Sequence, residues 1–314
     1  MNAWFDDPLA AAQQWLFESL IQPLLYAAGW MRYQEEAFDA TEWLLLGMVE
    51  VLVLALVLGA CERRWPAEPT TDRGAVRTDV AYTLLHRLGV FPLLAFALLT
   101  PLFDGIEAKL RLLGVSRPNL EQWLPDALSG PVLGFVLYLV VLDALDYWIH
   151  RGQHRWRWWW ELHAVHHSQR QMTLWSDNRS HLFDDLLRDA LLAAAALIIG
   201  IAPAQYVMLI VAVRVWQSVQ HANLRWRFGE VGERLLVSPS FHRRHHAIGF
   251  GHEGKAHGCN FGVLLPWWDQ LFGTADFRAG FVPTGIRDQL DGRDYGRGIV
   301  AQQWRAVQRW FARA

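Results

Sequence analysis

The sequence predicts an all-α protein: a multi-pass transmembrane helical bundle of about three full spans plus a membrane hairpin, carrying a cytosolic, helical, histidine-rich cap. Three observations lead there. Hydrophobic residues make up 53% of the 314, and 18 are tryptophan. Several apolar runs approach the roughly 20 residues that a helix needs to cross a bilayer. Histidine, 13 in all, gathers at the ends of those runs and not within them. The net charge of −2 says nothing about nucleic acid, and no basic patch signals a nucleic-acid-binding module, so no nucleic-acid partner is expected. The two cysteines, Cys61 and Cys259, lie far apart and are expected as free thiols.

Residues 1–130 read as an N-terminal membrane region of two spans and their loops. Asp6 and Asp7, with no basic n-region, argue against a cleavable signal peptide. An amphipathic segment covers residues 15–30, and the acid excess around it (Asp6, Asp7, Glu18, Glu35, Glu36 and Asp39 against Arg32) suits the non-cytoplasmic side. Residues 43–60 form the first span, whose Glu50 should face other helices because a lipid-facing carboxylate is costly. The linker 61–79 holds Arg63, Arg64, Arg73 and Arg77, which favour the cytosol, and Pro66 and Pro69, which break a helix. Residues 80–103 return across the membrane, with His86 read as an interfacial or hydrogen-bonded side chain. An external loop follows, with Lys109, Arg111 and Arg117 partly balanced by Glu107, Glu121 and Asp126.

Residues 131–275 read as the catalytic region. The third span, 131–149, delivers the chain to the cytosol just where His150 begins. The Trp156–Trp160 run, flanked by Arg155 and Arg157, suits the headgroup layer, with an aromatic core as the alternative. Residues 189–220 form two short apolar arms meeting at the uncharged turn around Gly200 and Pro203, a hairpin that dips and returns with Arg214 facing protein or water. Ser238 and Pro239 suit helix initiation. The tail, 276–314, ends in a stripe of Val300, Trp304, Val307 and Phe311 at helical spacing, with Arg305, Arg309 and Arg313 off it. That stripe fits a membrane-surface helix and packing on the domain equally.

The histidines fall into patterns: His150 and His154 as HxxxH, then His163, His166 and His167 as HxxHH, then His242, His245 and His246 as HxxHH again. Side chains three and four apart share a helical face, so each pattern is expected to aim its imidazoles at one point. Clustered imidazoles without a partner are costly to bury and repel once protonated, so metal binding is the expectation. Eight imidazoles exceed the roughly four to six ligands of one first-row ion, which suggests two ions. Asp143 and Asp146 lie on the helical face of His150, where a carboxylate is placed either to accept an imidazole's second N–H or simply to pack or be solvated. A zinc-dependent hydrolase would need a glutamate as in HExxH, and no cluster supplies one. A haem carrier needs only two axial ligands, and a metal transporter should hold its ligands at mid-membrane.

HRGQH, LHAVHH and FHRRHH, in that order with a hairpin between the second and third, resemble the fatty acid hydroxylase or sterol desaturase superfamily of integral-membrane di-iron oxygenases. DxxDYWxHR upstream and NFG…WDxLFGT downstream are similar to that family as well, so the resemblance runs over about residues 143–274. It implies two iron ions, replaceable by zinc in a purified sample, with O2 as cosubstrate. His150, His154, His163, His166, His167, His242, His245 and His246 would be ligands. His181 and His221 match the family's additional histidines, although Leu182 stands where the family often has Pro. Asn260 would stand behind the ligands, while His252 and His257 lie in a loop outside the family's motif and are read as standing behind the ligands or solvated. The resemblance implies hydroxylation, desaturation or ether cleavage of a lipid, read first as hydroxylation of a C–H bond with desaturation as the close alternative. Electrons would come from a separate reductase or cytochrome, at a site facing the cytosol, in a bacterial inner membrane.

Overall fold

The structure is a computed structural model that describes residues 8–114, 120, 130–253 and 257–312. Asp6, Asp7, Arg117, Glu121, Asp126 and Arg313 lie outside the described residues. Helices dominate, and the only β-type pairings among the described residues are isolated bridges, Pro66 with Leu224 and Ala247 with Thr284. Among the described residues, three helical segments are long and apolar enough to cross a membrane, Met31–Arg64, Val90–Leu112 and Pro131–Arg155. The expected number of spans is therefore met.

The amphipathic N-terminal segment is two helices, α1 (Pro8–Leu16) and α2 (Gln22–Ala28), joined by a π-helical turn at Phe17–Ile21. It packs on the long helix α3 (Gln34–Arg64), with Phe17 edge-on to Phe38 at 5.2 Å. At 1.5 Å per residue, α3 is about 46 Å long, against a hydrocarbon core of roughly 30 Å. Glu35 and Glu36 in its first turn and Arg63 and Arg64 in its last complement the helix dipole. Its final turns therefore project into the cap, where Leu54 and Leu58 pack with Leu174, Ala222 and Leu224.

The expected second span is corrected. The segment 80–103 is broken at Leu88 and Gly89, which separate α4 (Arg73–Arg87) from α5 (Val90–Leu112), and only α5 qualifies as a crossing. Gly89, at φ 88°, makes the left-handed turn. Charge is the physical reason: Asp79 and Arg87 on α4 are buried and paired with protein groups, so α4 belongs to the cap. Arg87 pairs with Glu50 of α3 and, at 2.7 Å, with Asp177, and it donates to Ser218 at 2.8 Å. Glu50 also accepts from Arg214 at 3.0 Å, so both charges expected to face protein do so. Gly47 is required opposite, since a Cβ there would sit 1.7 Å from the Arg87 carbonyl oxygen.

Helix α6 (Pro131–Arg155) ends where Trp156 turns extended, and α7 (Arg157–His167) folds back against it. Helices α8 (Leu182–Ile199) and α9 (Pro203–His221) meet at Gly200, φ 76°, as the expected hairpin. Tyr138 and Leu142 of α6 bury against Ala196, Ile201 and Leu209 of the hairpin. Short helices α10 (Gly229–Leu235), α11 (Pro239–His245) and α12 (Trp267–Leu271) complete the cap. The terminal helix α13 (Ile299–Ala312) packs on α7 and α4.

Candidate metal centre

Four helix ends build the site. Each presents histidines because its last two turns carry them: His150 and His154 on α6, His163, His166 and His167 on α7, His221 on α9, and His242 and His245 on α11 with His246 just beyond. Ser238 caps α11, accepting from the Phe241 N–H at 3.0 Å, and so fixes where that helix begins.

Nine histidines converge into two groups, each with its donor nitrogens within 4.8 Å of one another: His150, His154, His163, His167 and His245, and then His166, His221, His242 and His246. All are buried. The groups adjoin, with the His167 and His246 rings stacked at 4.4 Å and the His163 and His166 rings 5.3 Å apart.

The expectation that each pattern aims at one point is corrected. In α7, His163 and His167 enter the first group while His166 enters the second; in α11, His245 enters the first while His242 and His246 enter the second. Adjacent residues lie about 100° apart around a helix, so the two adjacent histidines of HxxHH must diverge. The i and i+4 members go to one focus and the i+3 member to the other, and the two helices do this in complementary fashion.

The donor set fits metal. Within the first group, Nε2 of His163 and His245 and both nitrogens of His154 and His167 are buried without a hydrogen-bond partner. In the second, Nε2 faces Nε2 at 3.3 Å between His166 and His221, and at 3.1 Å both between His221 and His242 and between His242 and His246. Two ligands on one first-row ion, with bonds near 2.0–2.1 Å, stand about this far apart. Burial, then the neighbouring imidazoles, hold His166, His167, His242 and His246 well below the usual histidine range. Burial pushes His245 down to about 3. These five rings are therefore neutral at pH 7, the form that binds metal.

Five rings are oriented from behind through Nδ1. His150 faces the Phe261 carbonyl oxygen at 2.8 Å, His245 that of Cys259 at 2.8 Å, His166 that of Arg179 at 3.0 Å and His221 that of Gln217 at 2.8 Å. His163 faces the Asp184 carboxylate at 2.9 Å. An oxygen on Nδ1 fixes the proton there and leaves the Nε2 lone pair directed inward.

Sequence reasoning missed Asp184. It is 1% exposed, and its other oxygen accepts from Gln153 at 2.7 Å and Trp159 at 2.6 Å. Its one visible signal is a carboxylate in the first turn of α8, which does not point to His163.

Asp143 and Asp146 are corrected, because neither carboxylate meets an imidazole. Asp146 pairs with Arg188. Asp143 accepts from the Leu264 and Leu265 N–H groups at 2.8 and 3.1 Å and from Trp268 at 2.9 Å. Together with Asp269, which accepts from Phe261 and Gly262 at 2.8 and 2.7 Å, it pins the loop that offers Phe261 to His150. Gly262 allows that closure, since a Cβ would stand 2.8 Å from both the Asp269 carboxylate and the Leu265 carbonyl. Asn260, buried, braces the same loop by donating to the Phe241 and Asp276 carbonyls at 2.9 and 3.1 Å.

His181 joins neither group. It caps α8, its Nδ1 accepting from the Phe183 N–H at 3.2 Å, so that lone pair is already engaged. His257 is exposed on its loop at φ 66° and stands behind no ligand. His252 stacks on Trp160 at 4.9 Å, 5.8 Å from the His167 ring. His86 is hydrogen-bonded to Asp185 at 2.9 Å, away from both groups. Of the tryptophan run, Trp159 is buried on Asp184 while Trp156 and Trp158 are exposed.

Fold and donor set together define a helical membrane protein with two adjoining histidine groups able to hold metal. Residues 135–274 match the family model described as fatty acid hydroxylase. Over 259 residues, the chain is 30% identical to the ornithine lipid hydroxylase OlsE of Rhizobium tropici, covering 82% of this chain and 74% of that one. It is 27% identical over 146 residues to the Delta(7)-sterol 5(6)-desaturase ERG3B of Gibberella zeae, covering 46% and 42%, and 22% identical over 173 residues to the human lathosterol oxidase, covering 54% and 55%. No solved structure matches it significantly. The chain belongs to the fatty acid hydroxylase family and is an oxidoreductase.

Proposed function

We propose that this chain is a membrane-bound di-iron oxygenase that hydroxylates a C–H bond of a lipid, using O2 and electrons from a separate reductase or cytochrome. The observation that carries the reading is the pair of adjoining, buried, all-histidine groups, whose free nitrogens face two neighbouring points. The nine residues His150, His154, His163, His166, His167, His221, His242, His245 and His246 would hold the metals. Two irons in such a nitrogen-rich cage would supply reductive activation of O2. The protein's own part is positional: the oxygens behind Nδ1 fix five of the nine rings, and burial keeps water out. The spans and hairpin beneath the cap would present an aliphatic segment to the centre, so that proximity selects the bond attacked.

An ornithine-lipid-type substrate is favoured over a sterol, because the likeness to the ornithine lipid hydroxylase covers 82% of the chain and that to the sterol desaturase 46%. The sterol relatives keep desaturation as the second reading. Arg63 and Arg64, at the cap end of α3, favour the cytosolic side of a bacterial inner membrane for the centre. Residues 131–275 would form the catalytic region, between the N-terminal membrane region 1–130 and the tail 276–314. Lipid mass spectrometry of cells with and without the chain tests the reading: a gain of one oxygen supports hydroxylation, and a loss of two hydrogens supports desaturation. Anaerobically purified protein should carry about two irons per chain, and only loosely held zinc would count against the oxygenase.

A further inference from the structure

The terminal helix α13 docks by the side opposite to its apolar stripe. Gln302, Ala306 and Arg309 are the buried residues, Arg309 lying 3.5 Å from the Glu161 carboxylate and donating to its carbonyl at 3.1 Å. Val300, Trp304 and Phe311 stand 83%, 60% and 72% exposed. Val307, the fourth member of the stripe, is half-buried, so packing on the domain accounts for one of its residues and leaves three uncovered. Three apolar side chains repeating along one edge of a helix, in water, would be an unfavourable exposure unless something covers them.

The neighbours of the stripe indicate what does. One edge of it is bordered by Gln303 and Trp310, and both touch the place where the hairpin begins. Gln303 accepts from the Leu182 N–H at 2.9 Å and donates to the Ser180 carbonyl at 2.7 Å, and Trp310 stacks on Phe183 at 6.0 Å. Leu182 is the residue at which a proline, lacking an N–H, would forfeit the first of these bonds. The other edge carries Arg305, which reaches Asp294 at 3.3 Å, and exposed Gln308. The apolar edge therefore borders the root of the apolar hairpin, and the polar edge turns away from it.

We propose that α13 is an interfacial helix: it lies in the headgroup layer on the cap side of the bilayer and inserts Val300, Trp304 and Phe311 among the acyl chains beside the root of the hairpin. Its partner is the phospholipid surface of the membrane that the chain already spans. Burial of such an edge about 5–10 Å below the surface is the usual depth for a helix of this kind. The inference rests on the spans alone and is independent of the metal chemistry.

Retention in the membrane is no readout, because the spans hold the chain there. Depth is. In the full-length chain carrying Cys61→Ser and Cys259→Ser, single substitutions Val300→Cys, Trp304→Cys or Phe311→Cys on the stripe, and Arg305→Cys or Gln308→Cys on the flank, would each take a nitrobenzoxadiazole label. The proteins are placed in phosphatidylcholine/phosphatidylglycerol nanodiscs, one copy per disc. Stripe labels should be quenched several-fold more by lipids with a shallow doxyl group than flank labels, and iodide should quench them in the reverse order. Iodide access to the stripe equal to that of the flank overturns the proposal. Stripe labels shielded from both quenchers also overturn it, since a protein surface then covers them. Three independent stripe positions keep the test alive should one variant misfold.

Discussion

The substitution Asp184→Asn tests how much of the centre's competence lies behind its ligands. The side chain keeps its shape and loses one charge. At present one oxygen accepts from His163 and the other from Gln153 and Trp159, so all three bonds arrive at acceptors. The amide that replaces the carboxylate offers one acceptor and one donor, and one side must suffer. If the NH2 faces His163, the imidazole moves its proton to Nε2 and loses the lone pair directed at the first group. If it faces the other way, the Gln153 and Trp159 donors meet a donor in a site that is 1% exposed. Partners of this kind are worth about 10–100-fold in metal affinity or activity, which is roughly 1.4–2.7 kcal/mol. The assay is chelator competition on the purified protein, read separately for the first and second equivalents of metal, alongside lipid turnover. The equivalent held by the first group should weaken by that factor while the other holds. Metal affinity and turnover equal to the unaltered chain would show that the carboxylate does not orient His163.

Further outcomes follow from the same contacts. His181→Ala should keep its full metal content and lose about 0.5–2 kcal/mol through the missing helix cap, as read by thermal unfolding in detergent; loss of a metal equivalent would return His181 to the ligand set. Arg87→Met leaves buried Asp177 without its cation and Glu50 with Arg214 alone, at about 3–5 kcal/mol, so folded yield in detergent should fall sharply, and an unchanged melting temperature would refute the role given to that network. In metal-free protein, the folded state holds His166, His167, His242, His245 and His246 below the ordinary value. The unfolded chain therefore takes up protons first as pH falls below about 6.5, so stability present above that pH drains away beneath it. Melting temperatures measured from pH 7.5 to 5, roughly spanning the ordinary histidine range, should fall steadily, and a flat profile would contradict the burial of neutral rings.

The architecture was legible where apolar length alone decides it. The spans beginning at Pro131 and ending near Arg64 needed only a run and its flanking charges, and Gly200 with Pro203 marked the hairpin turn. The second crossing was misplaced because hydropathy treats residues 80–103 as one run, whereas Arg87 had partners 37 and 90 residues away in sequence, in Glu50 and Asp177. A charge that finds its counterions through tertiary contact looks, in sequence, like a charge at a helix end. The same limit explains the tail: a stripe of period near 3.6 identifies a helical face, but which face the domain uses is settled by Arg309 meeting Glu161.

At the site, the limit is angular. Spacings of three and four identify residues on one side of a helix, and on that basis the clusters converge as groups. A metal pair, however, needs each helix to serve two foci, and the roughly 100° between neighbouring residues is what lets one helix do so. HxxHH therefore carries more information than a cluster of three. Its adjacent pair straddles the boundary between the groups, and two such helices with opposite allotment give five histidines to one focus and four to the other once His150, His154 and His221 are added. The residues behind the ligands escape sequence reasoning for a different reason. Four of the five oxygens that hold Nδ1 belong to backbone carbonyls, which have no side-chain identity to read, and the fifth, on Asp184, comes from a helix 21 residues beyond the ring it holds. Asp143 looked like an orienting carboxylate because it shares the face of His150. Its chemistry is one step removed: it fixes a loop, and the loop's carbonyl at Phe261 fixes the ring.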